Sequence, residues 1–421
     1  MLRLLALWQF ADVDLHGDEN YYQRAAKSIL AGDGHPGSLR PPLFPAFIAL
    51  VYGLFGKSLL ALRLVQILLS LVTLAAVFQI TAQRFGTRAA TYAGMLCAVA
   101  PSLVHYTHFL WSECFGTTLL ILFFWALDLY DRCEKRWTIV LAGLLLGLNA
   151  LTRETWLMFG AVVVGWIVWR HRAAWRRSLV PAAMLLGAAL LVVLPWTLRN
   201  YTVHDALVLV STGRWYPMAH GNILNQEDWL RGVAPPRDQR LEARALGELE
   251  REAFWKPIAM EAIRAEQPLW IFKKTIRNTF LMLQVRSQTV RYLEKGWISP
   301  APIGAYSLLA TSVGGHILVT ALGLVALWFV PGGWLSRIVI TAVLYTFAIH
   351  VITIAHSRYL VPLVPLMAIH AGALMARRDL KLSRLRLVGA GLTLAVFVTA
   401  LILRWQTDLS GALASIASGS G

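Results

Sequence analysis

The stretch HGDENYYQRAAKSIL, His16 to Leu30, places two adjacent carboxylates at the start of a helix-like pattern, and RPPLFP follows it from Arg40. A carboxylate beside a cavity can accept a proton from an acceptor hydroxyl group, and Asp18 is the candidate for such a base. Simple capping by Asp18 and Glu19 is the alternative, because the helix dipole favours anions in the first turn. The sequence leaves both interpretations open.

A divalent metal is a second possible use of these residues. Asp14 and His16 are close enough in sequence to bind a metal together with Asp18. However, three residues in one loop do not form a specific ligand pattern. The sequence therefore identifies no cofactor with certainty and leaves a divalent metal as a possibility.

Further charged residues stand where apolar runs end. Glu113 follows Trp111-Ser112, Arg199 lies in LPWTLRNY, and Arg358 lies in RYLVPLVP. Arginines at a membrane edge suit a phosphate or pyrophosphate at the headgroup level, although either arginine alone could simply snorkel to lipid phosphates. Arg153 and Glu154 are adjacent and could pair with each other.

The composition indicates a polytopic helical membrane protein. Of the 421 residues, 57% are hydrophobic and 15% are charged. The net charge of +16 comes from short basic clusters between apolar runs, where cations orient helices and meet anionic lipids. We therefore expect a lipid bilayer and no nucleic acid as a partner. The three cysteines show no spacing typical of disulfides or zinc sites.

Long apolar runs predict most of the membrane spans, which with a short first helix total about 11. The first run, MLRLLALWQF, has only about ten residues where a span needs roughly 20, so we expect a truncated first helix or a late start rather than a cleaved signal. Residues 42–56 are also too short to cross and predict an interfacial helix. The other runs are 58–83, 89–110, 112–131, 137–152, 154–170, 178–198, 303–330, 337–356, 358–376 and 386–404.

The positive-inside rule orients this arrangement. With residues 42–56 outside, the basic clusters all fall on one side, the cytoplasm: Arg84 and Arg88; Arg132, Lys135 and Arg136; Arg170, Arg172, Arg176 and Arg177; Arg337; Arg377, Arg378, Lys381, Arg384 and Arg386. The opposite, extracytoplasmic face then carries the chemically interesting side chains: Asp14, Asp18, Glu19, Arg40, Glu113, Arg153, Glu154, Arg199, Asn200, Arg358 and Tyr359. Ionisable groups gathered there predict a functional site.

Taken in order, the motifs resemble those of a known family. They are DExxY at Asp18–Tyr22, RPPLFP, SE at Ser112-Glu113, GLLLGLNALTRE, LPWTLRNY, VSTG with Gly221-Asn222, and RYLVPLVP. Together, over residues 12 to about 370, they resemble the bacterial relatives of the protein O-mannosyltransferases (glycosyltransferase family 39) and of the aminoarabinose transferase of lipid A.

The resemblance implies an all-α GT-C fold, a polyprenyl-phosphate sugar donor and inverting transfer of a hexosyl or pentosyl group at the extracytoplasmic face of the bacterial inner membrane. It implies that Asp18 is the catalytic base and Glu113 the second catalytic acidic residue. Arg358, Arg199 and Arg153 would lie near the donor phosphate, and Glu19, Tyr22, Arg40, Glu154 and Tyr359 elsewhere in the site.

The resemblance also divides the chain. Together with the predicted spans, it implies a transmembrane catalytic module at 1–376, with external loop 1 at 11–57 and a large external loop at about 199–302, followed by a basic loop, a last helix and a tail at 377–421. No motif after residue 222 identifies the acceptor, which could be lipid A, a glycan, another lipid or a protein hydroxyl. A transporter or flippase of lipid-linked sugars is the competing function, although such proteins place charges near the midplane and use repeats, which are not evident here.

Overall fold

The computed structural model describes residues 1–10, 13–224, 234–298, 301–330, 333–377 and 383–418. Ala11 and Asp12 of the predicted external loop 1 lie outside the described residues, as do Arg378 and Lys381 of a predicted basic cluster. The described chain forms nineteen α-helices and no strand. The predicted all-α class is confirmed.

The α-helices, in chain order, are α1 Leu2–Phe10, α2 Asp18–Ala31, α3 Leu43–Phe55, α4 Leu59–Phe85, α5 Thr87–Val99, α6 Pro101–His105, α7 Ser112–Cys133, α8 Arg136–Ala150, α9 Phe159–Arg170, α10 Leu179–His204, α11 Trp215–Asn222, α12 Arg237–Ala245, α13 Glu248–Ala265, α14 Trp270–Leu283, α15 Gln288–Glu294, α16 Pro302–Phe329, α17 Trp334–Ile352, α18 Val364–Ala376 and α19 Arg384–Ser418. Short 3₁₀ segments occupy Glu154–Trp156, Arg172–Ser178 and Ser357–Leu363.

Seven helical segments of the described chain are long and apolar enough to cross a membrane. They correspond to α4, α7, α10, α16, α17, α18 and α19 with their 3₁₀ extensions. The predicted number of about 11 is not confirmed, because α8 and α9 have only 15 and 12 residues. The helix predicted at 42–56 is present as α3, and α19 extends well beyond the predicted 386–404.

The predicted span at 89–110 is wrong as a single helix. Backbone φ/ψ of −59° and 115° at Ala100 end α5, and Pro101 starts the five-residue α6. A proline disfavours the helical conformation of the residue before it and cannot donate a hydrogen bond back along the helix. The chain then turns through residues 106–111 into α7, and this turn supplies Trp111 to the site described below.

The basic residues of several loops meet around two aspartates at one end of the bundle. Arg84 and Arg132 both pair with Asp128, and Arg132 lies 2.9 Å from it. Asp131 binds Arg84 at 2.5 Å and also pairs with Arg170. These ion pairs fasten α4, α7 and α9 together at the end that the positive-inside rule assigns to the cytoplasm.

Helix α8 packs against both α7 and α10, so it is central to this half of the bundle. Gly143 allows the close approach to α10: a Cβ atom there would lie 2.3 Å from the carbonyl oxygen of Leu185. Small residues at such crossings let helix backbones in membranes come together. The packing of α8 in turn fixes the position of Arg153, which follows its carboxyl end.

We expect Gly143→Val to lower the free energy of unfolding by about 1–3 kcal/mol or more, because the added methyl groups must push backbone apart. Thermal unfolding of the detergent-solubilised protein measures the change. Gly187→Val on α10 is the matched control, since a Cβ atom at Gly187 meets no heavy atom within 4 Å. Equal midpoints for the two variants would contradict this account of the α8–α10 contact.

Candidate active site

Asp18 lies in the first turn of α2, where the helix dipole favours its negative charge. Nη2 of Arg40 donates a hydrogen bond of 2.6 Å to Oδ1 of Asp18. The guanidinium of Arg40 also lies over the rings of Tyr21 and Tyr22, 5.8 and 5.9 Å from their centroids. The motif RPPLFP therefore reaches back to α2, and the other carboxylate oxygen of Asp18 faces Arg358.

Glu113 lies in the first turn of α7 and is only 1% exposed. Nη1 of Arg153 donates a hydrogen bond of 2.9 Å to its Oε1 atom, and Nε of Arg358 lies 3.9 Å from the same oxygen. The second oxygen, Oε2, is buried and makes no hydrogen bond within the described residues. Buried carboxylate oxygens are seldom left unpaired in a protein that has no use for them.

Arg358 lies between the two carboxylates. Its Nη1 atom is 3.8 Å from Oδ2 of Asp18, and its Nε atom, which faces Glu113, makes no hydrogen bond to any described residue. The guanidinium lies 4.5 Å from the centroid of Trp111 and 5.3 Å from that of Tyr359. A cation held by ring stacking and long ion pairs retains donors for an anionic ligand.

Two cavities meet at this point, and both are lined by Asp18, Trp111 and Arg358. The first, here called the α11 cavity, has a volume of about 370 Å³ and extends toward Pro217 and Met218. The second, the α15 cavity, has a volume of about 230 Å³ and extends toward Gln288 and Arg291. A molecule in each cavity would therefore approach Asp18 from a different side.

Most of the residues singled out in the sequence line the α11 cavity. They are Asp18, Tyr22, Arg40, Glu113, Arg153, Glu154, Arg358 and Tyr359. The ring of Tyr359 stacks on that of His350, with centroids 3.9 Å apart, and the guanidinium of Arg153 lies 5.6 Å from the Tyr359 centroid. Arginines and a tyrosine thus share one wall of the cavity.

Arg153 and Glu154 do not form the ion pair that their adjacent positions suggested. Arg153 turns to Glu113, while Glu154 accepts a hydrogen bond of 2.6 Å from the hydroxyl of Ser211 in the VSTG motif. Burial raises the pKa of Glu154. The backbone explains the separation, because Arg153 is extended and Glu154 starts a 3₁₀ turn, which sends the two side chains in different directions.

Arg199 was predicted near the donor phosphate, but it does not line either cavity of the described chain. Its guanidinium donates hydrogen bonds to the carbonyl of His35 at 2.9 Å and to the hydroxyl of Ser38 at 2.7 Å, and it lies over Trp196. Arg199 therefore fastens the loop that leads from α2 to Arg40. Its donors are occupied by this loop and not aimed at the cavity.

Glu19 also lies outside the lining of both cavities. It accepts hydrogen bonds from the backbone N–H of His16 at 2.9 Å and of Leu110 at 2.8 Å, and from the hydroxyl of Tyr292. Burial raises its pKa. Glu19 joins the start of α2, the turn before α7 and α15, so it positions Asp18 rather than facing a ligand.

The possible metal ligands Asp14, His16 and Asp18 do not assemble. His16 stacks on Trp297 with ring centroids 3.8 Å apart, and Asp18 is bound by Arg40. No group of three histidine, cysteine, aspartate or glutamate side chains in the described ranges could hold a metal ion. The carboxylates of the site are instead surrounded by guanidinium groups.

Sequence reasoning missed the role of α14 in supporting the site. Nζ of Lys274 donates hydrogen bonds to the carbonyl of Thr353, at 2.8 Å, and to that of Gly221. A Cβ atom at Gly221 would lie 2.2 Å from the Thr353 carbonyl oxygen, so only glycine fits there. Burial lowers the pKa of Lys274 to about 6. Lys273 beside it pairs with Glu266, and nothing in the sequence distinguishes the two lysines.

Comparison with known proteins bears on the fold. Residues 39–198 match the family profile of dolichyl-phosphate-mannose-protein mannosyltransferase. No curated protein sequence matches the chain. The structure of ArnT from Cupriavidus metallidurans bound to undecaprenyl phosphate is 16% identical and superposes with a TM-score of 0.52, covering 96% of this chain and 64% of that one. The apo structure of the same protein is 17% identical, with a TM-score of 0.53 and the same coverage.

A second similar structure is an oligosaccharyltransferase from Archaeoglobus fulgidus in complex with Zn and sulfate. It is 14% identical with a TM-score of 0.52, and the match covers 100% of this chain and 53% of that one. This chain therefore spans less than two thirds of ArnT and about half of the archaeal enzyme. The GT-C fold and the resemblance predicted from the motifs are confirmed.

Proposed function

We propose that this protein is a membrane glycosyltransferase that moves a sugar from a polyprenyl-phosphate donor to an extracytoplasmic acceptor, with inversion at the anomeric carbon. The observation that carries the proposal is the placement of Arg358 between Asp18 and Glu113 where two cavities meet. The undecaprenyl phosphate in the ArnT structure and the lipid-linked sugar in the description of the matched family support a donor of this class.

The α11 cavity suits the donor. Arg40, Arg153 and Arg358 line it and supply the cations that a departing phosphate needs as its negative charge grows. Leu39, Pro41, Pro217 and Met218 give the same cavity apolar walls. A lipid-linked sugar has this combination of an anionic group and an apolar tail, and the tail would remain in the bilayer while the phosphate sits at the headgroup level.

Asp18 is the base in this proposal. Its carboxylate takes the proton of the acceptor hydroxyl as the acceptor oxygen bonds to the anomeric carbon from one side, and the bond from that carbon to the phosphate oxygen breaks on the other. The polyprenyl phosphate leaves with the electron pair of the broken bond. Glu113 holds Arg153 and Arg358 in place, and its free oxygen Oε2 is available to the sugar or the acceptor.

The site would lie at the extracytoplasmic face of the bacterial inner membrane. The ion-paired arginines around Asp128 and Asp131 would then lie at the cytoplasmic end, where the positive-inside rule puts them. Donors carried on polyprenyl phosphate are suited to a compartment without nucleotide sugars, because the lipid itself brings the activated sugar to the outer leaflet.

Incubation of the purified protein with radiolabelled polyprenyl-phosphate sugars and a membrane extract tests the function. We expect label to move from at least one lipid donor into a new product, and not from the corresponding nucleotide sugars. Transfer from nucleotide sugars alone would contradict the proposed donor class. Movement of an unaltered labelled lipid across proteoliposome membranes, without transfer, would favour the flippase.

A further inference from the structure

We infer that His350 recognises the sugar of the donor, with its ring atom Nε2 accepting a hydrogen bond from a sugar hydroxyl. This inference rests on the proposed function and deepens it, because it assigns one residue of the α11 cavity to the sugar rather than to the phosphate. No motif of the sequence marks His350, which lies near the end of α17. It is the only histidine among the residues of the described chain that line this cavity.

The imidazole of His350 is held in one orientation. It is 6% exposed and stacks on the ring of Tyr359, with centroids 3.9 Å apart and planes only 2° from parallel. Its Nδ1 atom lies 3.1 Å from the carbonyl oxygen of Ile354. Nδ2 of Asn278 on α14 donates a hydrogen bond of 2.6 Å to the backbone carbonyl of His350. Ring and backbone are therefore both fixed before a ligand binds, which lowers the cost of recognition.

The contact with Ile354 determines which ring nitrogen carries the proton. A carbonyl oxygen can only accept a hydrogen bond, so Nδ1 donates, and in a neutral ring Nε2 is then an acceptor. A second proton would add a further cation to a cavity that Arg40, Arg153 and Arg358 already line. Nε2 makes no hydrogen bond to a described residue, and it is not one of the polar atoms that the described chain encloses without a partner. It therefore remains as an acceptor that a ligand in the cavity can reach.

An acceptor at this position selects one part of the proposed donor. A polyprenyl-phosphate sugar is a phosphodiester, whose phosphate carries no proton at neutral pH, and its hydrocarbon chain has no hydrogen-bond donor. The hydroxyl groups of the sugar are the donors that remain. Asp18 and Glu154 of the same cavity already accept hydrogen bonds from Arg40 and Ser211, whereas Nε2 of His350 is uncommitted.

The position of His350 suits a group attached to the phosphate. Tyr359, on which its ring stacks, is also approached by the guanidinium groups of Arg153 and Arg358, at 5.6 and 5.3 Å from its centroid. In the proposed mechanism these two arginines hold the leaving phosphate. The sugar bonded to that phosphate would then lie beside His350, where one of its hydroxyls can donate to Nε2.

Two substitutions separate the roles of the two ring nitrogens. The amide of His350→Asn can take the place of Nδ1 and donate to Ile354, but it does not reach the position of Nε2. The amide of His350→Gln reaches the position of Nε2 and loses the contact with Ile354. We expect His350→Asn to lower kcat/KM for the sugar donor about tenfold, the size expected for one lost hydrogen bond, and His350→Gln to retain most of it. The reverse order would show that the ring only holds the loop, and it would overturn the inference.

The hydroxyl is identified with a panel of polyprenyl-phosphate sugars that each lack one hydroxyl group. Wild type should use one of these deoxy donors about tenfold less well than the parent donor. His350→Asn should use that deoxy donor and the parent about equally, because the pair of changes removes the same contact. Equal penalties for every deoxy donor in wild type and His350→Asn would overturn the inference.

A binding measurement separates this inference from the proposed function. Polyprenyl phosphate without a sugar should raise the unfolding midpoints of wild type and His350→Asn equally, whereas the sugar-bearing lipid should raise that of wild type more. This difference is expected even if no acceptor is found. An equal loss for both lipids in His350→Asn would place the ring at the phosphate and overturn the inference alone. No stabilisation of wild type by either lipid would contradict the proposed donor class, and the inference with it.

Discussion

Asp18→Asn is expected to reduce sugar transfer by about 10²–10⁴-fold, the usual contribution of a positioned general base. The amide has almost the shape of the carboxylate and can still accept the hydrogen bond from Arg40, so the fold should be retained. It cannot take up a proton from the acceptor. The turnover of a donor with a saturating membrane extract, measured for both proteins at equal protein level, gives the effect.

The charges around Asp18 also predict how this variant binds the donor. Removing the charge of Asp18 leaves Arg40 and Arg358 without their shared partner, so the affinity for an anionic donor should stay the same or rise. Asp33→Asn, just after the end of the same helix, is the control and should behave as wild type. Turnover within a factor of about ten of wild type would exclude Asp18 as the base.

The gathering of polar groups at one end of the bundle could be predicted from the sequence. Apolar runs and basic loops place Asp18, Glu113, Arg153 and Arg358 on the same face, since each stands where a run begins or ends. The structure brings these four side chains into one cluster. Topology fixes which ends of the helices meet, so this level of the site follows from the apolar runs and the basic loops between them.

The pairs within the cluster could not be predicted in the same way. Arg153 and Glu154 are neighbours in sequence, yet they bind Glu113 and Ser211. Arg199 stands at a span end as Arg358 does, yet its donors go to carbonyls of the loop before Arg40. Such choices depend on backbone direction over one or two residues and on packing between distant segments, which residue type and spacing do not determine.

The large external loop was the least predictable part of the chain. Residues 199–302 were predicted only as a large external loop, and nothing marked Lys274 as a buried residue or Arg291 as part of a cavity. Lys274 shares α14 with Lys273 and Arg277, and Arg291 is the one basic residue of the seven-residue α15. Their positions follow from the contacts of α14 with α17 and of α15 with α19, which join segments far apart in sequence.

Arg358→Ala is expected to reduce kcat/KM for the donor at least about 100-fold, since in the proposed mechanism it removes a charged contact to the leaving phosphate. It also leaves Asp18 and Glu113 facing each other without the cation between them. Arg358→Lys should recover only part of the activity, because a lysine retains the charge but cannot present a planar fork over Trp111. Steady-state kinetics at limiting donor distinguish the three proteins.

Arg199→Ala provides the matched comparison, because the family resemblance implies a place near the donor phosphate for both arginines and the structure separates them. Arg199 fastens the loop at His35 and Ser38, so its loss should lower the unfolding midpoint while changing donor KM little. Arg358→Ala should do the reverse, with a large loss of donor use and a smaller effect on stability. If both variants lost donor affinity equally, Arg199 would have to reach the phosphate in the complex, and the loop it holds would have to move when the donor binds.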